Sequence, residues 1–249
     1  MALLKSSSEI ADGPHPSQHR PVSDRPYVLL SCAMSVDGYL DDASQDRLLL
    51  SNDEDLDRVD AERARADAVL VGAGTIRRDN PRLLVRSAER RAERSARGLP
   101  PNPIRVTLTG SGDLDPSSRF FTAGDATSLI YCSSAAAGGL RTRVGDAATV
   151  VDLGDPLDIR MVLEDLAARG VRRLMVEGGS TVHTELLAGG LADELQLVIA
   201  PLFVGDTGAP RFVGGGRFPH GPGRRMTLAE TRRIGDVVLL RYLLGSTAR

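Results

Sequence analysis

Apolar residues recur along the chain with two different periods. Short apolar-rich runs at Tyr27 to Ala33, Val69 to Val71, Ile104 to Thr109, Ser128 to Cys132, Ala148 to Val151, Arg172 to Val176 and Gln196 to Ala200 predict strands. Val69, Leu70 and Val71 leave no polar face, as expected of a strand buried on both sides. Elsewhere the spacing becomes helical. Ile159, Val162, Leu163, Leu166 and Ala167 predict a helix from Leu157 to Arg169, stopped by Gly170. Ser51-Asn52-Asp53-Glu54 has the form of a capping box, which predicts a helix to about Arg65 with Leu56, Val59 and Ala64 inward. Met226 to Thr231 and Val237 to Leu244, around Gly235-Asp236, predict a closing antiparallel hairpin. Strands alternating with helices give an α/β fold: three layers, with a mainly parallel twisted sheet flanked by helices and a C-terminal antiparallel hairpin.

The remaining segments read as connections. Residues 1–26 are polar and proline-bearing and predict a flexible tail, leaving 27–249 as one domain. Ser87 to Pro103, dense in Arg, Glu and Ala, reads as an exposed insertion, partly helical and tolerant of change. Asp206 to Arg225 is a long loop rich in glycine and proline.

Charge and composition narrow the function. Lys plus Arg is 31 against Asp plus Glu 33, a net charge of −2, which gives no electrostatic footprint for nucleic acid. No apolar run approaches the roughly 20 residues that span a bilayer, and no signal-peptide core is present, so a cytoplasmic protein without a membrane partner is expected. Cys32 and Cys132 lie in apolar runs, and the four histidines form no metal-ligand spacing, so no metal is expected.

Two glycine-bearing stretches carry the candidate chemistry. Val69 to Arg86 reads as strand, loop and strand, with Gly72 and Gly74 permitting close approach to the main chain and Thr75, Asp79 and Arg86 following. A Gly-x-Gly-x-x-Gly fingerprint fails because Arg77 stands where the third glycine belongs. Further on, Glu177-Gly178-Gly179-Ser180-Thr181 links a strand to a helix through Leu187, and a helix start preceded by glycines suits a pyrophosphate. Ser133 and Ser134 open a loop whose hydroxyls suit a 2′-phosphate.

The order Gly-x-Gly-Thr-(three residues)-Asp-x-Pro-x-Leu, then Val-Glu-Gly-Gly-Ser-Thr, then Ala-Pro-x-x-x-Gly resembles the reductase domain of riboflavin biosynthesis, which has a dihydrofolate-reductase-like fold. Ser35-Val36-Asp37-Gly38 is similar to that family's first-strand turn. The resemblance implies an NADPH-dependent reductase of a phosphoribosylaminopyrimidine, 5-amino-6-(5-phosphoribosylamino)uracil, working as a homodimer. The zinc deaminase motifs of bifunctional members have no counterpart here, so the reductase alone is expected. By the same resemblance Met34, Leu49, Gly74, Thr75, Asp79 and Gly110 meet the cofactor, and Gly178, Gly179, Ser180, Thr181 and Val182 hold its pyrophosphate. Arg47, Arg63, Leu83, Arg86 and Glu177 frame the substrate. Asp37, Asp79 and Glu177 are the carboxylates able to move a proton. Ser31, Arg47 and Leu49 depart from the family pattern, which keeps open a reductase of another heterocycle such as dihydrofolate, and a nucleotide-binding protein without turnover.

Overall fold

A computed structural model describes residues 24–44 and 48–245; most of the expected tail, and Arg47, lie outside the described residues. Among the described residues nine strands form one sheet: β1 (Tyr27–Ser35), β2 (Ala68–Gly72), β3 (Ile104–Thr109), β4 (Ser128–Cys132), β5 (Thr149–Asp152), β6 (Arg173–Gly178), β7 (Glu194–Ala200), β8 (Thr227–Ile234) and β9 (Val237–Leu243). Their order is β5-β4-β3-β2-β6-β1-β7-β9-β8. Every neighbouring pair is parallel except β7 with β9 and β9 with β8, so the hairpin is antiparallel as expected. The helices are α1 (Asp53–Arg65), α2 (Ala73–Asp79), α3 (Ala88–Ala96), α4 (Arg119–Thr122), α5 (Ser134–Val144), α6 (Ile159–Ala168) and α7 (Ser180–Ala188).

Alternation along the buried strands supplies both faces of the sheet. Val28, Leu30, Leu70, Val106, Leu174 and Val176 pack under α6 and α7. Leu29, Val69, Val71, Ile130 and Met175 pack under α2 and α5 on the other face. All five apolar positions expected inward on α6 are buried. Each buried Leu, Ile or Val contributes roughly 2 kcal/mol of transfer free energy. Gly170 ends that helix with φ +89, where a β-carbon would be strained.

Several local expectations are corrected. The cap of α1 is Asn52, whose side chain accepts from the Asp55 N–H at 2.9 Å, instead of a Ser51–Glu54 box. Its buried positions are Asp55, Asp60 and Glu62, with Leu56, Val59 and Ala64 only partly covered. These acids can be buried because arginines answer them: Arg58 for Asp55, Arg90 for Asp60, and Arg65 and Arg173 for Glu62.

The stretch after β2 folds into α2 rather than a loop, and residues 82–86 form no strand and do not join the sheet. Asp60 pins that segment, accepting from the N–H of Arg86 at 2.5 Å and of Ser87 at 3.1 Å. Burial works against the Asp60 charge, but those two amides and Arg90 outweigh it and hold the carboxyl below its ordinary pKa.

The segment 87–103 is mostly exposed and partly helical as expected, but one of its arginines is anchored in the interior. Arg94 on α3 is buried and donates to the carbonyls of Ala64 at 2.9 Å, Ala66 at 2.8 Å and Pro100 at 2.8 Å, closing the end of α1. Finally, the loop expected after β4 is helix α5. Its Gly138 and Gly139 hide the helical pattern in the sequence.

Candidate active site

The carboxyl ends of β1, β2, β3 and β6 open into a cleft of about 1130 Å³, closed on one side by α1 and on another by residues 48–51. Ligands of open parallel sheets sit at this edge. Gly74, Thr75 and Asp79 on α2 line it together with Gly178 at the end of β6 and Gly179, Ser180, Thr181 and Val182 at the start of α7. Leu49 and Gly110 lie on the same wall, as do Arg63, Leu83, Arg86 and Glu177.

The two glycine junctions abut. A β-carbon on Gly179 would lie 3.6 Å from Thr75 Oγ1 and 3.7 Å from Gly72 Cα, and one on Gly72 would crowd Val182 Cγ2 at 3.2 Å. Gly179 takes φ +94 and, as the residue capping α7, offers no side-chain acceptor. The first N–H groups of α7 therefore remain for an anionic ligand, favoured by the positive end of the helix dipole.

Across the cleft, Arg63 on α1 binds Glu177 on β6 through a two-point fork, and its Nη1 donates to the Leu84 carbonyl at 3.2 Å. Burial opposes the Arg63 charge, but the Glu177 charge and hydrogen bonds outweigh it and raise the guanidinium pKa above its ordinary value. Each Glu177 oxygen keeps a second lone pair for a ligand hydroxyl. Leu83 holds φ +51 with its side chain buried. Left-handed backbone at a residue with a β-carbon costs roughly 1–2 kcal/mol, offset here by that burial.

Three expected residues stand apart from the cleft. Asp37 accepts from Ser35 Oγ at 2.6 Å and from the N–H groups of Val204 and Gly205 at 3.1 and 2.8 Å, so it ties the β1 turn to the segment after β7. The Ser35 hydrogen bond, helped by those amides, holds its pKa down at about 2. Met34 packs into the core cluster shared by α6 and α7. Ser133 is buried and spends its hydroxyl on the Gly110 carbonyl at 2.8 Å.

Other lining residues went unread in the sequence. Arg77, Arg78, Arg82 and Arg119 ring the cleft, and Asp55 and Arg58 line it beside Ser31, already noted as a departure from the family pattern. Arginine density in the sequence from 77 to 97 was a signal, but periodicity does not say which guanidinium turns inward. Among the described residues no cluster of His, Cys, Asp or Glu could hold a metal, and no helix is long and apolar enough to cross a membrane.

Comparison with known proteins agrees with this geometry. The family model described as the RibD C-terminal domain matches residues 26–240. A 2,5-diamino-6-ribosylamino-4(3H)-pyrimidinone 5′-phosphate reductase from Archaeoglobus fulgidus is 36% identical over 85% of this chain and 95% of its own length. The protein of that name from Methanothermobacter thermautotrophicus is 34% identical over 88% of this chain and 98% of its own. Among solved structures, a pyrimidine reductase-like protein from Corynebacterium diphtheriae superposes with TM-score 0.75 at 22% identity, covering 89% of this chain and 93% of that one, and shares the fold. The deaminase/reductase of Thermotoga maritima superposes with TM-score 0.71 at 26% identity over 89% of this chain and 57% of that one. The sheet order, the paired glycine junctions and these matches lead to one conclusion: the chain belongs to the RibD C-terminal domain family, the reductases of riboflavin biosynthesis with a dihydrofolate-reductase-like fold.

Proposed function

We propose that the cleft binds NADPH across the β2–α2 and β6–α7 junctions and reduces the ribosyl carbon of a ribosylaminopyrimidine 5′-phosphate. The observation carrying this reading is the contact between Gly179 and Gly72, which merges two backbone cradles into one trough beneath the uncapped start of α7. NADPH, when bound, supplies a hydride. The chain's own residues bind, orient and polarise. Gly178 to Val182 present amides to the pyrophosphate, while Thr75 and Asp79 face the nucleotide. Glu177, steadied by Arg63, accepts from a substrate hydroxyl. Arg86 and Arg82 lie on the cleft wall for the substrate phosphate, where a planar guanidinium fork is suited to two oxygens.

Preference for NADPH over NADH is ascribed to the rim at the end of β3. There Arg77 donates to the Asp113 carbonyl at 2.8 Å, the Arg119 N–H donates to Asn80 Oδ1 at 2.6 Å, and Ser111 lines the same wall. A 2′-phosphate would meet two cations and a hydroxyl. The protein is taken to act in the cytoplasm as a homodimer, in which a second copy would cover Leu228 and Val238, 53% and 38% exposed on the hairpin.

The test is loss of NADPH absorbance with the ribosylaminopyrimidine phosphate as substrate, repeated with NADH and with Arg119→Ala. Turnover with NADPH, weaker turnover with NADH, and a narrowed preference in the variant are expected. Binding of NADPH without reduction of any pyrimidine or pterin would refute the enzyme reading.

A further inference from the structure

Beyond the glycine trough the cleft continues along α7 onto an apolar wall. Leu108 on β3, Leu157 and Ile159 around the start of α6, and Val182 on α7 all line the cleft and pack in one core cluster. Glu185 lines it too, on the face of α7 that carries Thr181 and Val182, since residues three and four apart share one side of a helix. It is exposed, and among the described residues its carboxylate has no hydrogen-bond or ion-pair partner. Partial burial, and then the charge of nearby Asp158, hold its carboxyl above the ordinary pKa.

A carboxylate only accepts, and in a cleft suited to a polyanion it is unfavourable unless the ligand brings it a donor. The start of α7 attracts negative charge, whereas Glu185, five residues beyond Ser180, repels it. With a helical rise of about 1.5 Å per residue it lies roughly 7.5 Å along the axis, beside the base of a nucleotide whose pyrophosphate sits on the first amides. The donors at that end of a nicotinamide dinucleotide are the ribose hydroxyls and the exocyclic amino group of adenine. The apolar wall suits the face of a purine and not a sugar, which sets the amino group next to the carboxylate. In the reading above the 2′-phosphate lies toward Arg77 on α2, and α2 packs on the opposite face of the sheet from α7.

We propose that Glu185 accepts from the 6-amino group of adenine and sets the choice of purine in the cofactor. The assignment rests on the cofactor reading above.

The experiment measures Kd by fluorescence titration of the full-length chain with NADPH, with its hypoxanthine analogue and with NADH, for the wild type, Glu185→Gln and Glu185→Ala. In the analogue an oxygen replaces the amino group and the donor moves to the neighbouring ring nitrogen, so the carboxylate meets oxygen. The wild type is expected to bind NADPH about 10-fold more tightly than the analogue. Glu185→Gln, which accepts from an amino group and donates to an oxygen, should bring that ratio within about twofold, and Glu185→Ala, which offers neither, should do the same. Equal wild-type affinity for the two purines, or a preference that the variants keep, overturns the role of Glu185 and leaves the cofactor reading intact. A wild-type preference for NADH that the variants reverse puts the carboxylate on the ribose 2′-hydroxyl and overturns the adenine assignment. Binding of none of the three overturns the cofactor reading and this inference with it.

Discussion

The guanidinium of Arg63 meets the carboxylate of Glu177 through two parallel hydrogen bonds, Nε to Oε1 and Nη2 to Oε2, each 2.5 Å. The side chains are 15% and 13% exposed, so neither ion can fall back on bulk water if the other is removed. Arg63→Met is expected to cost about 3 kcal/mol of stability by stranding Glu177, and about 100-fold in kcat/KM by loosening it. Glu177→Gln, which keeps an acceptor for the fork, should lose less stability. Urea unfolding alongside initial rates separates the two effects, and wild-type behaviour of Arg63→Met on both would refute the pairing's role.

Gly179 is expected to be irreplaceable for a backbone reason. Its φ of +94 strains any residue with a β-carbon, although the space beside it accepts a methyl at ordinary contact distance from Thr75 and Gly72. Gly179→Ala should lower stability by about 1–2 kcal/mol and, by shifting the start of α7, weaken NADPH binding about 10-fold. Fluorescence titration with NADPH and a thermal melt check both; unchanged affinity in a strained variant would remove this junction from the cofactor site.

Arg94 gives a prediction of opposite kind. Its three carbonyl acceptors lie at the end of α1 and in the turn after α3, with no cleft contact. Arg94→Ala should destabilise by about 2–3 kcal/mol through unsatisfied buried carbonyls, while kcat/KM of the folded fraction stays within about twofold of wild type. Denaturant titration and assays well below the midpoint read the two quantities.

Acid should weaken the fold through His183. Burial pushes the imidazole of His183 down to about 4 from 6.5, so the folded state holds it neutral while the unfolded chain binds a proton. The folded pKa is the lower of the two, so stability falls as pH drops from 6.5 and stops falling from this cause near 4. The loss is about 3 kcal/mol across that window. His183→Leu should flatten it, as measured by unfolding free energy at several pH values; an unchanged slope would assign the acid sensitivity elsewhere. Below that window Glu194 takes over: burial raises its pKa, but Arg241, Gln196 and Tyr27 outweigh this and hold it at about 2.

Much of the fold was legible because burial on both sides leaves a plain mark. The run Val69-Leu70-Val71 could only be an interior strand, and α6 declared itself through Ile159, Val162, Leu163 and Leu166. The reading failed where charges are buried. In α1 the inward positions are Asp55, Asp60 and Glu62, so a search for apolar periodicity chose Leu56, Val59 and Ala64 instead. Arg94 was misplaced for the same reason, since an arginine in a polar stretch looks solvated until its carbonyl acceptors are known. The glycine junctions were visible as motifs, and the structure brings them into one trough. Asp55 was hidden because its partner Arg58, 3 positions on, is itself held by Gln196, a further 138 positions along the chain.

The row of hydrogen bonds from Arg241 to Asp55 runs in directions fixed by charge, since the arginines have nothing to accept with and the carboxylates nothing to donate. The one ambivalent member, the Gln196 amide, is settled by having Glu194 at one end and Arg58 at the other. A row so polarised has one orientation: turning the Gln196 amide over would set its oxygen against Glu194 and its amino group against Arg58, so the row holds α1 against β7 in a single arrangement.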